Sequence, residues 1–293
     1  MELSGADHRR LIFIDLISIF LRVIVIGRGR NTPYICLRVR YTHEIMEENT
    51  VIFHGTNGWY TSKTGYTTCI TIDTPDCFII LDAGEGFTKI PDVYPSIQKP
   101  TLLFFSHFHL DHISGLHTLA RCQFEGGLSI YGPPGVGMLS GFIGYPYTIP
   151  ISELAYPVTI TELSEGRCDL LIPVETAFLV HTQPVFGYRF ELSKTIAFCT
   201  DTGPCEGILT LGTGADLLIT ECAYLPGQED QGWPHLNPEA ALRLAKEAGA
   251  KQLALVHFAA DLYTSLDKRI SIRDIGPDFS DIIIGMDDMV IRI

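Results

Sequence analysis

Short apolar runs bounded by polar and turn-forming residues recur along this chain. Most have the length and the β-branched content of strands. They predict strands near 50–54, 67–73, 77–81, 101–105, 128–131, 157–163, 170–180, 186–192, 195–199, 216–220 and 251–256, with two more at 282–285 and 289–293. Helical spacing is rarer. It predicts short helices near 113–121 and 205–212 and one clear helix over 238–248, where Ala241, Leu244, Ala245 and Ala248 share a face. Asn237 suits the N-cap of that helix, Pro238 its first position and Gly249 its stop. Gly55-Thr56-Asn57-Gly58 reads as a tight turn. There is no internal repeat. Strands and helices mixed in this order predict an α/β fold of two packed sheets with helices outside.

Composition narrows the class. At 293 residues, with 46% hydrophobic and 19% charged, the chain can bury a large core as one domain or two small ones. The formal net charge of −13 repels phosphate polymers unless basic residues cluster, and no Lys/Arg-rich run occurs after residue 40. A long RNA footprint is therefore disfavoured, whereas a small phosphodiester is not. Eight cysteines, none in a Cys-x-x-Cys pair, are scattered through apolar strands and read as thiols packed in a reducing, cytoplasmic setting. Leu11–Ile26 is apolar but too short and too charged to span a membrane, and it lacks a signal-peptide cleavage site. Residues 1–45 hold seven Arg and no Lys, a bias the rest of the chain does not share. Two readings stay open for them: an extension that packs on the core or a partner, or a start of translation at Met46, to which the break in composition leans. The catalytic-looking region is expected within 46–293.

The chemistry is concentrated in His107-Phe108-His109-Leu110-Asp111-His112, four metal-type ligands in six residues, directly after the predicted strand 101–105. In extended backbone His107 and His109 point to one side, while Asp111 and His112 follow where the chain turns. One loop can thus feed two adjacent ions of a borderline metal such as zinc. His181, Asp201 and His257 each follow a predicted strand, and a rigid sheet can hold such ligands in fixed geometry. His54 and His117 read as structural.

These segments resemble the metallo-β-lactamase superfamily from about Val51 to Ile293, and within it the ribonuclease Z-like phosphodiesterases. Phe53-His54-Gly55-Thr56-Asn57-Gly58, Leu81-Asp82-Ala83-Gly84-Glu85-Gly86, Tyr131-Gly132-Pro133-Pro134-Gly135 and Asp201-Thr202-Gly203-Pro204 carry the likeness. Thr220-Glu221-Cys222-Ala223 and His235-Leu236-Asn237-Pro238-Glu239-Ala240 carry the branch. The resemblance implies an αββα sandwich, two mixed sheets with helices on both outer faces. It implies two divalent ions, zinc or manganese: His107, His109 and His181 on one, Asp111, His112 and His257 on the other, and Asp201 bridging. Asp82 would support the ligand loop from outside, or simply form a turn before Gly84. His235 would be the general acid, oriented by Glu221, with Asp111 completing the catalytic set. Tyr131 and the Pro-Pro-Gly loop would border the pocket.

The tRNA-processing members carry a long arm between the ligands matching His181 and Asp201, and 182–200 leaves room only for two strands and a turn. The expected activity is therefore a phosphodiesterase acting on small or cyclic phosphodiesters through a hydroxide shared by the metals. The alternatives are an RNA endonuclease that borrows a second surface, as a homodimer could supply, a thioester or lactone hydrolase, and a non-catalytic binding relative.

Overall fold

Alternation along the strands decides the layering. In the strand Thr101–Phe104, Leu102 and Phe104 face a core shared with Phe186, Tyr188, Phe190 and Phe198, while Leu103 faces the opposite way, toward Phe87, Leu116 and Leu119. Each strand thus buries one set of side chains between the sheets and the other beneath helices. The structure, a computed structural model, describes residues 48–275 and 281–293; the segment 1–45 and the Met46 boundary lie outside the described residues.

Among the described residues, one seven-stranded sheet runs Met289–Arg292, Thr50–Gly55, Cys69–Asp73, Phe78–Leu81, Thr101–Phe104, Leu128–Gly132 and Val158–Glu162 from edge to edge. The other runs Ile282–Ile284, Gln252–Val256, Leu217–Glu221, Thr195–Cys199, Val185–Glu191, Pro173–Leu179 and Gly166–Asp169. Both are mixed. Helices Glu206–Gly212 and Pro238–Ala248 cover the second sheet, and 3₁₀ turns at Glu85–Lys89 and Ser114–Arg121 cover the first. This is the αββα sandwich expected from the sequence.

The helix Pro238–Ala248 forms as its end signals predict. The Asn237 side chain accepts from Ala240 N at 2.9 Å, a cap worth about 1 kcal/mol, and Gly249 closes the helix at φ +67°. Two expectations need correction. The predicted strand 170–180 is present as Pro173–Leu179, with Pro173 opening it, but a further strand that was not expected, Gly166–Asp169, pairs antiparallel with it. Gly55–Gly58 is not a tight turn. The register shifts after Phe53, and Asn57–Gly58 then pair in parallel with Phe258–Ala259. The fully buried Arg269 fastens this pair: its guanidinium donates to Thr56 Oγ1, Asn57 Oδ1 and Thr64 Oγ1 and lies over the Phe258 ring. Such a contact between distant segments leaves no local trace in sequence.

Candidate metal centre

Parallel pairing brings the ends of several strands to one edge. Phe78–Leu81 pairs in parallel with Thr101–Phe104, and Thr195–Cys199, Leu217–Glu221 and Gln252–Val256 run parallel in turn. Asp82, His107, Asp201, Glu221 and His257 therefore leave their strands on the same side, where α/β folds build their sites. All seven ligand-type residues read from the sequence meet there. One donor atom each from His107, His109, His181 and Asp201 fits within a 4.8 Å span, and so does one each from Asp111, His112 and His257. Asp201 faces both groups: Oδ2 is 3.7 Å from His107 Nε2, and Oδ1 is 3.2 Å from both His112 Nε2 and His257 Nε2.

Neighbouring groups set the imidazole tautomers. Asp82 is fully buried and accepts from Ser106 N at 2.7 Å, from Ser106 Oγ at 2.8 Å and from His112 Nδ1 at 2.8 Å. Its role is therefore to hold the ligand loop, beyond forming a turn. The Ser106 hydroxyl proton is spent on Asp82, so His107 Nδ1–H donates to Ser106 Oγ at 3.0 Å. His181 Nδ1–H donates to Pro234 O at 3.3 Å. In each case the Nε2 lone pair is left for the cluster, as metal-ligating histidines require. His109 is the exception: Gln183 Nε2 donates to its Nε2 at 3.0 Å, so that lone pair is engaged by the amide.

The donor set fits a cation. His107 Nε2 and His181 Nε2 are buried without a hydrogen-bond partner, and His112 Nε2 faces His257 Nε2 across 3.2 Å. Burial keeps His107 well below the usual histidine range, with the charge of His112 adding to the effect. Burial opposes ionisation of Asp201, yet His257, His112 and His107 hold it well below the carboxylate range. A neutral imidazole beside an anionic carboxylate is the ligand state that divalent metals need. His112 differs: burial works against its charge, but Asp201, Asp111 and Asp82 outweigh it and hold the ring well above the usual histidine range, so a divalent ion would have to displace that proton to bind here.

Backbone strain marks the same place. Asp82, Asp201 and His257 sit at φ +55°, +51° and +52°, conformations costing about 1–3 kcal/mol each in non-glycine residues. A Cβ on Gly58 would lie 2.6 Å from His257 Cε1, so glycine is needed for the parallel pair to pass the ligand. Gly58→Ala is expected to displace His257 and weaken metal retention while the fold survives; elemental analysis and thermal unfolding check this. An unchanged metal content would show that the loop yields instead.

Beside the cluster, His235 Nδ1–H donates to Glu221 Oε1 at 2.8 Å. Glu221 is fully buried and also accepts from Thr202 N, Ala223 N and Leu236 N. Burial works against a charge on His235, but Glu221 outweighs it through its charge and hydrogen bond, and the imidazole is pushed up to about 9. His235 also shares a 4.8 Å span with Asp201 and His257.

Other expectations fall outside the cluster. His54 is buried against Thr71 Oγ1 and is lowered to about 4, chiefly by burial. His117 is exposed, its ring bonded to Ser114 O. Tyr131 stacks on Phe104 beside the core, and neither it nor the Pro-Pro-Gly loop lines the cleft over the cluster, which corrects that expectation. That cleft of about 720 Å³ is bordered instead by Trp59, Leu110, Tyr224, Gln228, Trp233 and Leu262. The one available signal was rarity, since the chain has two tryptophans and both are here. The seven described cysteines are free thiols. No helix among the described residues is long and apolar enough to cross a membrane.

Known proteins share this architecture. A ribonuclease Z of Bacillus velezensis is 26% identical over 276 aligned residues, covering 72% of this chain and 88% of that protein. The metallo-β-lactamase fold protein YhfI from Bacillus subtilis superposes with a TM-score of 0.69 at 21% identity, covering 84% of this chain and all of that one. The short form of human tRNase Z superposes with a TM-score of 0.62 at 24% identity, covering 83% and 98%. The family model of the β-lactamase superfamily domain matches residues 78–258, more than half of the chain. With that match, a metallo-β-lactamase fold and a ligand cluster suited to divalent metals, the chain belongs to the β-lactamase superfamily as a metal-dependent hydrolase.

Proposed function

We propose that this chain hydrolyses compact phosphodiesters at a site for two divalent ions, zinc in the first place and manganese in the second. One observation carries the reading: His235, charged by the buried Glu221, stands beside two ligand groups that share Asp201. In this reading His107, His109 and His181 would hold one ion, Asp111, His112 and His257 the other, and Asp201 would serve both. When bound, such ions acidify water and draw charge from a phosphoryl oxygen. His235 donates its proton to the leaving oxygen, and Glu221 stabilises the imidazolium that makes this favourable. Asp111 is aimed by the backbone N–H of Trp59, which donates to its Oδ2 at 2.7 Å.

Size and charge favour a small substrate. The strands Val185–Glu191 and Thr195–Cys199 form a hairpin with a short turn, so no arm projects between His181 and Asp201. The aligned span with the Bacillus velezensis ribonuclease Z is longer than the part of this chain within it, so that relative carries residues without a counterpart here. No Lys or Arg lies among the described residues lining the cleft. The free thiols support a reducing, cytoplasmic setting. A second reading, RNA endonuclease, is favoured by the name of the curated relatives and would call for a further RNA-binding surface, as in a homodimer.

The zinc-loaded protein is expected to turn over bis-nitrophenyl phosphate, to leave thioesters intact and to cleave precursor tRNA poorly, with weak dependence on salt. RNA held through many phosphates would instead lose affinity with a logarithmic salt slope of about −0.7 per phosphate. Efficient tRNA cleavage with a steep slope would establish the endonuclease, and a preference for thioesters would overturn both readings.

A further inference from the structure

Both tryptophans of the chain border the cleft over the ligand cluster, and both are open to solvent: Trp59 is 70% exposed and Trp233 47%. Large indoles gain by covering apolar surface, so two of them exposed at one mouth call for an occupant. Trp59 is the more telling. It holds φ +72°, where glycine would sit without strain, so the turn itself does not require an indole. Nor does the fold: its ring meets the neighbouring Tyr60 edge-on, with centres 5.4 Å apart. Trp233 lies flat on His109, with ring centres 5.8 Å apart and 9° between planes, which fixes its orientation above a ligand-type residue.

The charge of the cleft narrows the occupant. Asp111, Asp201 and Asp261 line it, and among the described residues no Lys or Arg does. Negative charge on a ligand is therefore tolerated only where metals offset it, at one phosphoryl group. The attached group must be uncharged and flat to use the indoles. Gln228 and Asp261 also line the cleft and can pair with the polar edge of a heterocycle, which a plain hydrocarbon ring would leave unsatisfied. We propose that the cleft takes a single phosphodiester bearing one nucleobase-type heterocycle, and that this ring stacks on Trp59 and Trp233. The inference rests on the phosphodiesterase reading and adds the substrate class.

Trp59→Gly tests it cleanly. Glycine relieves the strained backbone and keeps the N–H that reaches Asp111, so a merely structural Trp59 predicts no change in substrate preference. The zinc-loaded full chain is assayed on a nucleoside 2′,3′-cyclic phosphate and on the base-free methyl riboside 2′,3′-cyclic phosphate, at equal metal content. The ratio of kcat/KM between them is expected to fall by about 10–100-fold in Trp59→Gly, the worth of one base–aromatic stack, mostly through KM. Trp59→Phe should recover much of it. Calorimetric binding of the two phosphorothioate analogues gives a measure independent of turnover. Binding that discriminates for the base and is lost in Trp59→Gly, without any turnover, would overturn the phosphodiesterase reading and leave the stacking inference standing. Turnover of both substrates with an unshifted ratio would overturn the stacking inference and leave the phosphodiesterase.

Discussion

Asp201→Asn is expected to deplete both metal positions and to lower phosphodiester turnover by about 10²–10⁴-fold, the several kcal/mol that metal catalysis supplies. The reason is geometric. Oδ1 lies 3.2 Å from His112 Nε2 and His257 Nε2, whereas Oδ2 faces His107 Nε2 at 3.7 Å, so one carboxylate serves both ligand groups. Asn is the cleaner probe than Ala. Asp201 holds φ +51°, which Asn tolerates better than other residues, so the backbone should stay while the anion and one acceptor oxygen are lost. Thr200 Oγ1, which donates to Asp201 Oδ1 at 2.9 Å, can still donate to the amide oxygen. Elemental analysis after gel filtration, alongside nitrophenyl phosphodiester turnover, measures both effects. Full metal content would remove the bridging role.

His235→Ala should separate chemistry from binding. The variant is expected to keep its metals and to lose on the order of 10²–10⁴-fold in rate, the usual worth of a positioned proton donor. The loss should shrink for a nitrophenolate leaving group, which departs without protonation, and an equal loss for poor leaving groups would indicate positioning instead. The pH dependence follows from the pair. Glu221 raises His235 to about 9 against the opposing effect of burial, and the active form is the protonated one. Rate should therefore hold through neutral pH and fall as pH rises toward that value, with nearby divalent ions moving the fall lower by repelling the proton. Glu221→Gln removes the charge that favours the imidazolium and should shift this falling limb further toward acid. A limb that does not move would disconnect the two residues.

How much of this was legible beforehand depends on the range of the interaction. The strand runs and the helix 238–248 are written in local order, because side-chain period, caps and stop residues act over a few positions. The ligand types were legible for the same reason: His107, His109, Asp111 and His112 lie on one loop, and His181, Asp201 and His257 each follow an apolar run. Their meeting depends on parallel register between strands far apart in the chain, such as Leu217–Glu221 beside Gln252–Val256, and no short window contains it. The same holds for the selection of tautomers by Asp82 and Ser106, and for the approach of Gly58 to His257. The two tryptophans are 174 positions apart in numbering, and only the closed sandwich puts both at one cleft. Sequence by itself determined which chemistry was available and where the long apolar strands would lie, though not short pairings such as Asn57–Gly58 with Phe258–Ala259. Tertiary structure decided where the donors point, because direction and distance between remote side chains follow from packing and register rather than from neighbours along the chain.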